Sequence, residues 1–170
     1  LRKKNPMIKM AAPTHFPMHK RLIPLALAAA LTPLASADDA ATAKLMEVGK
    51  TSYMMCAACH GMDAKGVPAG PTLMAPSLVD SKVALGNPSV FALILLHGIQ
   101  KEGNEYLGMM APLGAALSDE QLAGVMTYVR GSFGNKAAAV SVEDAKKYRE
   151  EWKDITAPVT RAKIAELSAK

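Results

Sequence analysis

The clearest apolar pattern in the chain is Leu122, Val125, Met126 and Val129, at i, i+3, i+4 and i+7. That spacing makes one stripe along a helix. Ser118-Asp119-Glu120-Gln121 stands ahead of it with capping-box spacing, Arg130 falls in the last turn and Gly131 can end the helix. Nearer the start, Leu45, Val48 and the pair Ser52–Tyr53 recur at helical spacing and predict a helix over residues 42–55. A short apolar run, Ser89 to His97, predicts another helix, stopped by Gly98. Residues 61–88 and 98–117 are crowded with Gly and Pro and read as loops. No stretch alternates polar and apolar positions long enough to predict a sheet. The expected fold class is all-α, short helices with long loops between them.

Beyond Asn135 the pattern changes. Residues 141–153 and 160–169 are charged and weakly amphipathic, joined through Pro158. They predict a C-terminal helical extension over 136–170, one or two helices lying on the main domain, with Trp152 as the best anchor. If the extension is only a docking element, truncation after Asn135 leaves the spectrum of any chromophore unchanged and weakens partner kinetics alone.

At the other end, Leu22 to Leu34 is an apolar run behind Met18-His19-Lys20-Arg21. Ala35-Ser36-Ala37 follows as a small-x-small cleavage site, and Asp38-Asp39 opens a polar stretch. This is the layout of a secretory signal peptide, with Met18 as the initiator and cleavage after Ala37. The run is short of the roughly 20 apolar residues a membrane-spanning helix needs. The expected domains are therefore a leader over 1–37, a main domain over 38–135 and the extension, with the mature protein in a bacterial periplasm and without a membrane span.

The leader also accounts for the charge. The formal balance of +5 includes six basic residues within 1–37 and no acid there. The remainder carries 14 basic and 15 acidic side chains, so nothing favours a nucleic-acid partner.

The two cysteines of the chain, Cys56 and Cys59, stand three apart with His60 directly after. Zinc requires three or four ligands, and His60 is too close to Cys59 to complete the same tetrahedron easily. A thioredoxin-like redox pair belongs near a βαβ pattern, and the chain predicts no strands. A disulfide is possible in an oxidising compartment but closes a loop of only a few residues and stabilises little. Cys-x-x-Cys-His is the attachment signature of c-type haem. Residues three apart on a helical turn face one side, so both sulfurs can reach one porphyrin while the histidine turns toward its iron. The macrocycle then supplies core that so small a domain lacks.

The second axial position decides between carrying electrons and binding ligands. The residues leave His97 and the methionines as candidates. Met109 and Met110 lie in the loop just before the capped helix. Met54, Met62, Met74 and Met126 read as apolar packing, and His97 as a capping or core histidine.

Gly49, Tyr53, "CAACHG", "APSL", "MAPLGAALSDEQLAGVMTYVR" and "GSFGN" together resemble class I cytochromes c, over about residues 42–135. The likeness is greatest to the bacterial single-haem type found as subunits or partners of periplasmic dehydrogenases. The resemblance implies short helices and loops wrapped round one covalently bound haem c, with Cys56 and Cys59 as thioethers and His60 as proximal ligand. It places the distal ligand at Met110, with Met109 as runner-up, in a turn where Ala111 stands in place of a common proline. It also implies Gly49 packed against Tyr128, and a proline carbonyl, of Pro76 or Pro71, orienting the His60 imidazole.

The functional expectation is an electron carrier, not an enzyme, that docks transiently on redox proteins such as a periplasmic dehydrogenase or a terminal oxidase. Lys50, Lys65 and Lys101 are candidates for local attraction at that docking. The alternatives are a haem enzyme or gas sensor with a displaceable sixth ligand, and a cytochrome subunit docked on a dehydrogenase.

Overall fold

The computed structural model describes residues 37–103, 105–106 and 108–169. The leader expected over 1–37, with its start at Met18, lies outside these except for Ala37, which opens the first helix. In chain order the elements are α1 (Ala37–Ser52), α2 (Met54–His60), β1 (Pro68–Ala69), β2 (Thr72–Leu73), α3 (Lys82–Leu85), α4 (Pro88–His97), α5 (Asp119–Gly131), α6 (Val142–Glu151) and α7 (Arg161–Ser168). The architecture is helical, as the periodicity predicted. No helix among the described residues is long and apolar enough to cross a membrane.

Local chemistry explains where the boundaries differ from the pattern. The first predicted helix divides at Tyr53 into α1 and α2. The loop predicted over 61–88 holds the antiparallel β1–β2 pair, Pro68 opposite Leu73, which is too short for any alternation to be visible. It also holds α3, started by Ser81, whose side chain accepts from the Ala84 amide. Helix α4 begins at Pro88 because Asn87 caps it, accepting from Ser89 N, and proline suits the first turn. The capping box of α5 is present as read: Ser118 Oγ accepts from Gln121 N at 3.2 Å, and Ser118 N donates to Gln121 Oε1 at 2.9 Å.

Helices α1 and α5 cross with their backbones touching. A Cβ on Gly49 would stand 2.0 Å from the Gly124 carbonyl oxygen and 2.7 Å from Tyr128 Cβ. The expected contact of Gly49 with Tyr128 is there, but the tighter partner is the second glycine. Beside the crossing, the rings of Tyr53, Tyr128 and Phe133 pack with centroids 5.2–5.5 Å apart. Because backbone blocks the added methyl, Gly49→Ala should cost about 3 kcal/mol, the upper end for overpacking. A denaturant titration checks this, and a midpoint equal to wild type would remove the account of the crossing.

The extension is built into the core. Val140, Ala145, Val159 and Ile164 are buried. Buried Thr127 on α5 donates its hydroxyl to Val140 O (3.1 Å) and accepts from Val140 N (3.0 Å). The anchor predicted at Trp152 is real: its Nε1 donates to the Ser89 carbonyl at 3.0 Å. Arg149 on α6 spreads its guanidinium over Asp119 Oδ1 and the carbonyls of Gly114 and Leu117, each at 2.8 Å. Through these residues the described part of the extension, 136–169, belongs to the interior and does not merely lie on the main domain.

Candidate haem site

Cys56, Cys59 and His60 follow Tyr53 within α2, and all three line one cavity of about 490 Å³. Both cysteines are free thiols, half-buried. Burial, and then the neighbouring Cys59, pushes the Cys56 thiol up to about 11. The carbonyls at the end of α2 are tied into the next loop. Cys59 O accepts from Val67 N (3.0 Å), and His60 O from Gly66 N (2.7 Å). Buried Tyr53 reaches over to donate its hydroxyl to Gly61 O at 2.8 Å.

His60 is buried, and its Nδ1 lies 2.8 Å from the Pro76 carbonyl oxygen. A carbonyl only accepts, so the proton sits on Nδ1 and the lone pair on Nε2 is left for a metal. Burial holds the His60 pKa below its usual value and so keeps the imidazole neutral, as a metal ligand must be, while the Pro76 bond pulls the other way. Pro71 is exposed in the turn between β1 and β2, so the choice left open between the two prolines falls on Pro76.

Met109 and Met110 both line the cavity, but they are held differently. Met110 is half-buried and packs against both apolar clusters of the core, and its carbonyl accepts from Ile99 N at 2.9 Å. Met109 is 55% exposed. Gly98, with φ +73°, makes the approach possible, since a Cβ there would stand 2.3 Å from Met110 O. His97 is hydrogen-bonded to the Trp152 backbone and does not line the cavity. Of the methionines read as packing, Met126 is fully buried, whereas Met54 and Met62 are exposed and Met74 lines the cavity.

The cavity suits a porphyrin chemically. Leu78, Phe91, Ile94, Leu95, Val125 and Val129 give it apolar walls. Tyr106, Lys101 and Arg161 add polar groups to the lining, and a haem brings two carboxylates to match. Lys50 and Lys65 are exposed and lie outside the lining.

Residues 46–132, half of the chain, match the cytochrome c family. The chain belongs to the cytochrome c family. Its cofactor is accordingly covalently bound haem c, for which "CAACH" is the attachment motif, and its activity is haem-based electron transfer. The cytochrome is also similar to the fructose dehydrogenase cytochrome subunit of Gluconobacter japonicus, 32% identical over 107 residues. That match covers 59% of this chain and 21% of the relative, so the chain spans about a fifth of that protein's length.

The sequence reading missed Gly124, Tyr106, and the contribution of α7, which brings Arg161, Ile164, Ala165 and Ser168 to the cavity. The helix itself was expected over 160–169, and a signal for its buried edge was present in the chain. Ile164 and Leu167 stand at i and i+3 within the charged tail, the spacing of a helix with one buried edge.

Proposed function

We propose that this cytochrome is an exported carrier of single electrons between periplasmic redox proteins, with His60 and Met110 as the axial ligands of its iron and Cys56 and Cys59 as the thioethers. Haem c supplies the one-electron chemistry when bound. The chain holds the macrocycle, fixes the His60 tautomer through Pro76, and shields it with apolar side chains. The observation that carries the reading is the pairing of a His60 Nε2 freed by the 2.8 Å bond at Nδ1 with the Met110 loop, tied down at Ile99, on one cavity. With the haem bound, a soft thioether ligand from Met110 would favour ferrous iron and raise the potential.

A dehydrogenase is the donor class that the likeness to a dehydrogenase cytochrome subunit supports. A periplasmic setting rests on the leader and the motif together. Docking is weak and small in area, as electron-transfer encounters are. With 14 basic against 15 acidic side chains after residue 37, partner kinetics should depend only weakly on salt.

Carbon monoxide separates a carrier from a gas-binding protein. The ferrous cytochrome at neutral pH should bind it slowly and incompletely, because methionine holds the sixth position. Prompt, complete binding would remove the carrier reading in favour of an open haem. Export is tested by the N-terminus of the haem-loaded protein from a secreting host, expected at or next to Asp38.

A further inference from the structure

Met110 belongs to a small ladder of extended backbone that the C-terminal tail completes. Ile99 N donates to Met110 O at 2.9 Å on one side. On the other side Val159 N donates to Gly98 O and Gln100 N donates to Val159 O, both at 3.1 Å. Ile99 is therefore the middle rung, antiparallel to Met110 and parallel to Val159. Ile99, Met110, Val159 and Ile164 pack in one apolar cluster, with Ile164 coming from α7. Ile164 also lines the haem cavity. At the start of α7, Arg161 N donates to Glu102 Oε2 at 2.8 Å, and its guanidinium stands 5.3 Å over the Tyr106 ring. Downstream of Met110, the Gly114 and Leu117 carbonyls are held by Arg149 of the same extension.

We propose that residues 159–168 are part of the haem site: Val159 and Ile164 act as positioning residues that hold the Met110 loop in place and wall the crevice beside it. Other parts of the fold hold this loop only in part. Leu113 N and Gly114 N bond to carbonyls of α4, and Gly108 N to Met74 O. The Ile99 strand that meets Met110 itself has its outer edge covered by the tail alone among the described residues. An edge left unpaired would let that rung open more often, and local opening is how a held ligand is lost. The inference rests on Met110 being the distal ligand.

The test is exogenous imidazole binding to the ferric, haem-loaded protein by stopped flow. Imidazole reaches the iron only after the methionine loop opens, so the observed rate saturates at the opening rate. Val159→Pro removes the N–H that bonds Gly98 O, and Ile164→Ala removes the wall. Each should raise the limiting rate about tenfold or more, equivalent to about 1.4 kcal/mol. Ile164→Val should restore it to within about twofold of wild type, since little volume is lost. Ile155→Ala is the control, because Ile155 packs against the same cluster and does not line the cavity. It should lower the denaturation midpoint while leaving the limiting rate unchanged. Truncation after Asn135 should abolish the thioether–iron absorption, contrary to what a docking appendage predicts.

Limiting rates for Ile164→Ala and Val159→Pro equal to that of Ile155→Ala, with wild-type haem content and helicity, would overturn the proposal. If Val159→Pro does not accumulate as folded protein, Ile164→Ala against Ile164→Val decides alone. Met110→Ala run in parallel separates the two layers of the argument. Its binding should be fast and show no saturation. A saturating, wild-type rate in that variant would mean that Met110 is not the ligand, and the positioning inference would fall with it.

Discussion

Met110→Ala should give a haem whose sixth position is open. The ferric protein becomes high-spin or takes up water, the thioether–iron absorption disappears, and the midpoint potential falls because a soft ligand for ferrous iron has gone. A loop held by the Ile99 bond and by packing in both apolar clusters opens at a cost of about 3 kcal/mol or more, so bypassing that step should speed carbon monoxide binding roughly 100-fold. Met109→Ala should leave spectrum and rate close to wild type, because Met109 is exposed and its removal frees nothing that is packed. The reverse pattern would move the ligand one residue upstream.

Cys56→Ser combined with Cys59→Ser should leave a chain that neither retains haem through acid–acetone extraction nor keeps its fold when the haem is lost. At about 24 cal/mol per Å³, walls round 490 Å³ left standing without the macrocycle forfeit on the order of 12 kcal/mol were they rigid and sealed. That is comparable with the whole stability of a domain, about 5–15 kcal/mol. The walls are Phe91, Ile94 and Leu95 of α4 and Val125 and Val129 of α5, so these two helices lose their packing together. Far-UV circular dichroism should show most of the helical signal gone in the extracted variant. Each single serine variant should keep one thioether and much of the fold.

What could be read along the chain was what local chemistry imposes. A capping box and an i, i+3, i+4, i+7 stripe are complete within twelve residues, so α5 was legible. Cys56, Cys59 and His60 were legible because porphyrin attachment fixes their spacing. The β1–β2 pair was not, because two residues per strand carry no period. Nor was α3, whose single turn depends on one serine cap. The Gly49–Gly124 contact needs two helices brought together from 75 positions apart, and only the looser neighbour at the crossing, Tyr128, came from a resemblance. The part of the site furthest from legibility was the tail. Val159 and Ile164 have no motif, and their place beside Met110 follows from a backbone ladder that exists only after folding.

The central claim is that one haem, held by His60 and Met110, carries one electron at a time. A spectroscopic redox titration of the purified, haem-loaded protein tests it most directly. The account predicts a single reversible one-electron wave, with low-spin spectra in both end states and the thioether–iron absorption present when oxidised. A high-spin ferrous end state, or a transition that is not a one-electron Nernst curve, would contradict it.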